Sequence, residues 1–392
     1  MNKGLYREFS ESELTGDQRD AIECIINFLR NSSKQCLKIG GLAGTGKTSV
    51  ISHLNDILPS KANIRRRIAY CAFTGKAASV MRSKGMEAGT IHSLIYHSRV
   101  DVDDKEKKMI YDFSLKDRKE MECDVIVVDE ASTVSDVLYR DIMSLGKKVI
   151  FVGDYGQLPP IGNDINLMSE EGLDCKLTKI HRQAEKSNII RMSMAVRNGD
   201  QIAFHDGADT VKKKWSGGAD FEELLHYNQI LCGYNNTRMF LNSEIRKAYG
   251  FKTEFPERRD KMMFLRNDRG TGTFNGEQFV VLKSRRSGDD FIVDYVDINN
   301  KDAGQQNVRI LGKSLNAVAG QQSVQITRND LQRCPQMATY AYAISVHKSQ
   351  GSQWDNVALW DDSFGLKDAE YRRRFLYTAI TRASEKFTWI VP

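Results

Sequence analysis

The fold prediction begins from the segment Gly41-Leu42-Ala43-Gly44-Thr45-Gly46-Lys47-Thr48. It matches G-x-x-x-x-G-K-[ST] at every fixed position, follows a short apolar segment at 37–39, and precedes apolar residues at helical spacing from Val50. A loop between a strand and a helix wraps backbone N–H groups around phosphates, and the helix N-terminus favours negative charge. We therefore predict an ATP site in which Lys47 reaches the β- and γ-phosphates and Thr48 binds Mg²⁺. The other nucleotide-binding candidates in this loop are Gly41, Ala43, Gly44, Thr45 and Gly46.

An acidic pair follows a second apolar strand. Residues 125–128 read Val-Ile-Val-Val and are followed by Asp129 and Glu130. Open α/β sheets bind ligands at the carboxyl ends of their strands, so Asp129 is predicted to bind Mg²⁺. Glu130 is suited to orient or deprotonate an attacking water, which favours hydrolysis over simple nucleotide binding. The alternative, a strand that runs into a helix cap, is disfavoured by the phosphate loop upstream.

Strand-like and helix-like runs alternate along much of the chain, which predicts an α/β fold with parallel strands buried on both faces. Helical spacing covers 15–30 and continues from 50 to 58. The charged segment 97–121 is predicted to be a small insertion, and 212–220 (KKKWSGGAD) a hinge or loop. Short β-type runs separated by turn signals at 255–335 predict a small β-barrel.

Composition excludes several classes of protein. The 392 residues are too many for one compact domain, and no apolar run approaches the length of about 18 residues that a membrane helix needs. No apolar run follows the first charged residues, so we expect no signal peptide. The 7 cysteines include no C-x-x-C pair, which favours a reducing, cytoplasmic location. The net charge, 57 − 51 = +6, permits a polyanionic partner without requiring one.

The segment that most clearly indicates a protein family is Gly153-Asp154-Tyr155-Gly156-Gln157-Leu158-Pro159-Pro160. This stretch resembles the third motif, G-D-x-x-Q-L-P-P, of the superfamily 1 helicases. Segments similar to the family's other motifs lie on both sides of it in the family's order, at 72–78 (motif Ia), 89–94 (Ib), 177–183 (IV), 344–352 (V) and 376–383 (VI). The sequences IHS and VHKSQG within these motifs are most similar to those of the RecD-like and Dda-like branch, whose members move 5′-to-3′ on single-stranded DNA.

The resemblance implies roles around ATP. Gln157 would sense the γ-phosphate, and Arg182 and Arg382 would act on it as arginine fingers. Gly351 would join the nucleotide-binding residues. Gln18 would contact adenine, although Thr15-x-x-Gln18 is also a helix capping box, and the sequence explains Gln18 either way.

The resemblance also implies a DNA groove. The candidates on the first domain are Thr74, Lys76, Thr90 and His92, and those on the second are His347, Lys348 and Gln350. The expected partners are single-stranded and tailed duplex DNA, with no membrane. We expect a monomer that can work beside single-strand-binding, replication or recombination proteins.

The resemblance implies two RecA-like P-loop domains, one at 1–180 and one at 181–254 plus 335–392. A pin-like β-hairpin would occupy 97–121, and an SH3-like β-barrel would occupy 255–334. The implied function is an ATP-dependent DNA helicase and translocase. Two alternatives stay open: an RNA helicase of the same superfamily, and a non-motor module in which the nucleotide only switches affinity for nucleic acid. The motifs contain nothing that reads the 2′-OH of RNA.

Overall fold

The computed structural model describes residues 14–103, 108–160, 162, 166–180, 186–266, 273, 275–298, 303–315, 326–334 and 336–392. The chain forms two compact units. The first comprises Met1–Phe73, Ala77–Ser98 and Phe113–Ile190, and the second comprises Thr74–Lys76, Arg99–Asp112 and Arg191–Pro392. Each unit has its own sheet with mainly parallel strands.

The strands are β1 Cys36–Gly41, β2 Ile68–Ala72, β3 Ala88–Thr90, β4 Tyr96–Asp103, β5 Lys108–Leu115, β6 Val125–Asp129, β7 Lys148–Gly153, β8 Cys175–Leu177, β9 His205–Asp206, β10 Thr210–Lys214, β11 Gln229–Cys232, β12 Lys261–Phe264, β13 Gln278–Ser287, β14 Asp290–Asp297, β15 Gly304–Ile310, β16 Ala338–Tyr340, β17 Ala343–Ser345, β18 Trp354–Trp360 and β19 Ala383–Val391. The helices are α1 Gly16–Asn31, α2 Lys47–Ser52, α3 Leu54–Ala62, α4 Gly75–Ser83, α5 Ile91–Ile95, α6 Asp136–Ser144, α7 Asn188–Asn198, α8 Asn235–Ala248, α9 Arg328–Arg333 and α10 Ala369–Ile380.

The first unit is built on a six-stranded sheet of order β3-β2-β6-β7-β1-β8, with every pair parallel. Alternate residues of β6 face different cores: Val125 and Val127 pack in one apolar cluster, and Ile126 and Val128 in another. This confirms the predicted parallel sheet buried on both faces.

The register of this sheet brings the motif strands to one edge. Gly40 of β1 lies opposite Gly153 of β7, and Ala72 of β2 lies opposite Asp129 of β6. The phosphate loop, Asp129 and the third motif therefore all lie at the carboxyl ends of strands in one sheet.

The helices of the first unit differ from prediction at one point. The predicted helix at 15–30 is α1, but the apolar stripe from 50 to 58 is divided into α2 and α3. The division is at His53, whose φ of −97° and ψ of 1° leave the helical range. Apolar spacing did not reveal this break, because the buried residues Val50 and Ile51 precede it and the buried residue Leu54 follows it at helical spacing.

The second unit contains a six-stranded sheet of order β17-β11-β18-β19-β10-β9, in which only the described pair β9–β10 is antiparallel. The predicted loop at 212–220 is wrong for its first residues, since Lys212–Lys214 belong to β10 and pair with β19. Lysines can occupy a strand in this sheet because their aliphatic stems pack on apolar surface while their ammonium groups stay in water. The Lys212 ammonium lies 4.2 Å from the centre of the Trp389 ring.

A second sheet in this unit has five strands of order β15-β14-β13-β12-β16, all antiparallel. Its core includes Phe264 and Phe279, whose ring centres lie 4.3 Å apart. The strand β16 joins it from beyond the predicted range 255–334. The predicted insertion at 97–121 contains a separate two-stranded sheet of β4 and β5. Across the described ranges, no helix has the length and apolar character required to cross a membrane.

Candidate functional site

The phosphate loop connects β1 to α2, as its sequence predicts. Gly44 and Gly46 have φ angles of 80° and 78°, a left-handed conformation that favours glycine. At Gly41 a Cβ atom would lie 2.5 Å from Thr45 Oγ1, so a larger residue would displace the loop. The Thr45 hydroxyl donates to the Leu42 carbonyl at 2.8 Å, which closes the turn.

Lys47 is held by its own loop and by the third motif. Its ammonium donates to the carbonyls of Gly41 at 2.8 Å and Leu42 at 3.0 Å, and lies 3.7 Å from Asp154 Oδ2. The Asp154 side chain is fully buried, so this cation offsets a carboxylate that has left water. Asp154 is a site residue to which the sequence assigned no role, although it is the acidic position of the third motif.

Thr48 and Asp129 lie together as the predicted metal-binding pair. The Thr48 hydroxyl donates to Asp129 Oδ2 at 3.1 Å, and the Glu130 N–H donates to Asp129 Oδ1 at 2.9 Å. Burial raises the pKa of Asp129, while the Glu130 N–H and the charge of Lys47 oppose that shift. A hydroxyl and a carboxylate are the oxygen ligands that Mg²⁺ uses in P-loop proteins, so the pair fits that ion.

Glu130 follows the end of β6 in an unusual conformation. Its φ of 53° and ψ of 40° lie in the left-handed region, which a glutamate rarely adopts, and the turn Ala131–Thr133 begins directly after it. The Thr133 hydroxyl donates to the Glu130 carbonyl at 2.8 Å. Backbone strain of this kind is often found at functional sites.

Gln157 lies beside Asp154 in the same buried region. Its amide nitrogen donates to Asp154 Oδ2 at 3.3 Å, and its side chain is nearly inaccessible. The Oε1 atom is buried and accepts no hydrogen bond in the described part of the chain. A buried acceptor without a donor is costly, so this amide is suited to a ligand or water donor.

Gln18 makes contacts expected for the capping box. The Thr15 N–H donates to Gln18 Oε1 at 3.0 Å, which is half of that motif. The Gln18 amide nitrogen donates in turn to the Thr45 carbonyl at 3.0 Å. The residue thus ties α1 to the phosphate loop, and its adenine contact stays a prediction.

Among the two predicted arginine fingers, Arg382 is described and Arg182 lies outside the described residues. Arg382 is buried, and its guanidinium donates to Thr378 O at 3.0 Å, Ser352 O at 3.2 Å and Thr381 Oγ1 at 3.0 Å. All of these partners belong to the second unit. The role of Arg382 at a γ-phosphate stays a prediction.

The predicted contacts of the second unit follow β17. His347 Nε2 lies 3.0 Å from the Tyr371 hydroxyl, and burial lowers its pKa to about 4. Lys348 is exposed and donates to Asn275 Oδ1 at 3.1 Å. Gln350 is buried. Gly351 has a φ of 71°, a left-handed backbone conformation that favours glycine. These residues lie in one turn at the carboxyl edge of the sheet.

The remaining predicted contacts lie after β2 and β3. Thr90 caps α5, where its hydroxyl oxygen accepts the Ser93 N–H at 3.2 Å, so it has a structural task as well. The ring centre of His92 lies 6.1 Å from that of Phe73. Thr74 and Lys76 group with the second unit, where Lys76 donates to the Gln353 carbonyl at 3.1 Å and burial lowers its pKa to about 8.

Comparisons with known proteins agree with this geometry. Residues 13–213 match the family model described as an AAA domain, and 340–389 match the UvrD-like helicase C-terminal domain. The ATP-dependent RecD2 DNA helicase of Deinococcus radiodurans is 25% identical over 373 residues, covering 88% of this chain and 46% of the relative. The RecBCD enzyme subunit RecD of Mycobacterium tuberculosis is 24% identical, covering 88% and 65%. The chain thus spans about half to two thirds of the length of these two relatives.

Solved structures show the same fold at low identity. Bacteroides Pif1 bound to single-stranded DNA has a TM-score of 0.54 at 17% identity, covering 97% of this chain and 94% of that one. Pif1 from Candida albicans has a TM-score of 0.51 at 16% identity, covering 96% and 94%. The fold and phosphate loop define a P-loop protein with a parallel-sheet core. More specifically, the chain belongs to the AAA domain family. Its match to the UvrD-like helicase C-terminal domain and its RecD2 and RecD relatives support the resemblance to the RecD-like group of superfamily 1 helicases. The resemblance predicted from the motifs is confirmed.

Proposed function

We propose that this chain is an ATP-dependent DNA helicase that translocates 5′-to-3′ on single-stranded DNA and separates duplexes. The observation that carries the proposal is the set of contacts among Lys47, Asp154, Thr48 and Asp129 at one sheet edge. A relative named as a DNA helicase and a fold shared with Pif1 structures support the nucleic-acid part.

The proposed chemistry is hydrolysis of ATP. Lys47 exchanges its contacts with the Gly41 and Leu42 carbonyls for phosphate oxygens, and the loop N–H groups hold the rest of the phosphate chain. Thr48 and Asp129 would hold Mg²⁺, which neutralises charge on the phosphates. Glu130 orients a water and accepts its proton.

Two residues would report on the γ-phosphate. Gln157 offers its buried Oε1 through a bridging water, and Arg382 adds positive charge as the phosphoryl oxygens become more negative. Arg182 is proposed for the same task from the sequence motif. Gln18 is proposed to contact adenine, and Gly351 to lie among the nucleotide-binding residues.

The proposed DNA groove uses the motif residues already described: Thr74, Lys76, Thr90, His92, His347, Lys348 and Gln350. Hydroxyls and ammonium groups contact phosphates, and flat rings stack on bases. The proposed domains are 1–180, with a pin at 97–121, and 181–254 with 335–392. We propose an SH3-like barrel for 255–334, extended by β16 to the five antiparallel strands seen.

The test of this proposal is nucleic-acid-stimulated ATP hydrolysis. Turnover should rise with single-stranded DNA and stay near basal level with an RNA of the same length and base order. The Lys47→Ala variant is the control, because it removes the phosphate contact without touching the predicted groove. Equal stimulation by RNA would replace the proposal with an RNA motor. No stimulation by either, with nucleotide-dependent binding retained, would indicate a non-motor switch.

A further inference from the structure

A cavity of about 420 Å³ lies within the second unit, between its parallel sheet and its antiparallel sheet. We call it the amino-edge cavity, because it is lined by Asn228, which precedes β11, and by Tyr342, which precedes β17. These strands are parallel, and Lys348 follows the other end of β17. The cavity therefore lies at the opposite sheet edge from the predicted DNA contacts of this unit.

The lining of the amino-edge cavity carries basic side chains. Arg258, Arg259 and Lys261 line it, and the described lining includes no carboxylate. Nearby Asp260 is already neutralised, since Arg246 donates to both of its oxygens at 2.9 and 3.0 Å. Neither Arg258 nor Arg259 forms an ion pair with a described carboxylate. Two exposed arginines that line the cavity are therefore available to pair with an anion.

One of these arginines occupies a strained backbone position. Arg259 has a φ of 78°, where glycine is favoured, and its N–H donates to the Val281 carbonyl at 2.7 Å. Residues other than glycine persist in this region when the surrounding structure holds them. The chain therefore places a charged side chain at the cavity at a conformational cost.

Lys261 adds a buried amino group. Its ammonium donates to Asn228 O at 2.7 Å and Gln229 Oε1 at 3.0 Å, which leaves one of its three protons for another acceptor. Burial lowers the pKa of Lys261 to about 7. An anion in the cavity would stabilise its charged form.

Aromatic rings line the same cavity. The ring centre of Tyr249 lies 5.9 Å from that of Phe251 and 5.4 Å from that of Tyr342. Tyr249 is 44% exposed, so part of its ring is accessible to a ligand. The hydroxyl of Tyr342 donates to Asp260 at 2.9 Å, which fixes the orientation of its ring.

We propose that the amino-edge cavity binds a nucleoside monophosphate, with the base against Tyr249 and the phosphate on Arg258 and Arg259. The cavity volume lies within the range of small-molecule sites, roughly 300–1,000 Å³. Rings beside arginine forks match a flat base joined to a phosphate. The site is separate from the phosphate loop, which belongs to the first unit.

The test is calorimetric titration of the full chain carrying Lys47→Ala, which removes the phosphate-loop lysine as a competing contact. The probes are thymidine 5′-monophosphate, thymidine and inorganic phosphate. We expect the monophosphate to bind, and Arg258→Gln and Tyr249→Ala each to weaken it by about tenfold. Thymidine and phosphate should each bind at least about tenfold more weakly.

Arg285→Gln is the matched control, because Arg285 is an exposed arginine of the same antiparallel sheet that does not line the cavity. It should leave the affinity unchanged. Absence of binding, equal binding of phosphate alone, or equal loss in the control would overturn the proposal. Because the titration does not depend on hydrolysis, its failure would leave the helicase proposal untouched, and the reverse also holds.

Discussion

Replacing Arg382 separates its predicted role in catalysis from its structural contacts. Arg382→Ala removes two hydrogen bonds that the guanidinium donates, one to the Ser352 carbonyl at 3.2 Å and one to the Thr381 hydroxyl oxygen at 3.0 Å. The Thr378 carbonyl keeps a donor in the Thr381 hydroxyl at 3.1 Å. With about 1 kcal/mol for each lost partner, the free energy of unfolding should fall by about 2 kcal/mol.

The catalytic effect should be larger than this and of a different kind. Loss of an arginine finger lowers turnover by about 10³-fold or more, which corresponds to about 4 kcal/mol in the barrier. The assay is steady-state ATP hydrolysis with saturating single-stranded DNA, beside thermal unfolding and DNA affinity for the same protein. Single-strand binding should persist.

The control is Arg373→Ala, which removes a half-exposed arginine of α10 whose partner is Glu370 at 2.8 Å. Such surface pairs contribute about 0–1 kcal/mol, so stability and turnover should change little. Unchanged turnover in Arg382→Ala, despite the expected loss of stability, would remove Arg382 from the catalytic site.

Three other perturbations test the same contacts. Glu130→Gln should bind ATP but hydrolyse it at least about 100-fold more slowly, and near-normal turnover would exclude Glu130 as the base. DNA affinity should fall about tenfold or more between about 50 and about 200 mM salt if about three phosphates are contacted, whereas a flat response would contradict the groove. The pKa of His347 is lowered by burial from its ordinary value of 6.5 to about 4 in the folded chain, so the unfolded chain gains a proton first as the pH falls. Stability from this residue should therefore be lost from about pH 6.5 down to pH 4, and His347→Gln should remove that component of acid unfolding.

The parts of the fold that could be predicted from the sequence are those with strong local patterns. The apolar run at 125–128 and the glycines of the phosphate loop each constrain the chain strongly within a few residues. The break at His53 could not be predicted, because buried residues continue at helical spacing on both sides of it. Lys212–Lys214 were predicted to be a loop because three consecutive lysines are locally polar. They form a strand through long-range contacts, such as that of Lys212 with Trp389, which the local sequence does not reveal.

The candidate site shows the same limit. The motif spacing predicted Lys47, Thr48 and Asp129, and the sheet register brings them to one edge. The pairing of Lys47 with Asp154 depends on two strands separated by more than 100 residues, so local pattern contained no signal for it. Arg258, Arg259 and Lys261 line one cavity with Asn228 and Tyr342, which are distant from them in the sequence, so the local pattern contained no signal for this cavity.

Unwinding of tailed duplexes tests both the proposed helicase activity and its direction of movement. Two DNA substrates with the same duplex, one with a 5′ single-stranded tail and one with a 3′ tail, are compared in the presence of ATP and Mg²⁺. We predict strand separation of the 5′-tailed substrate, and none with the Lys47→Ala variant. Separation of the 3′-tailed substrate alone would contradict the assigned direction of movement, and separation of neither would contradict the helicase proposal.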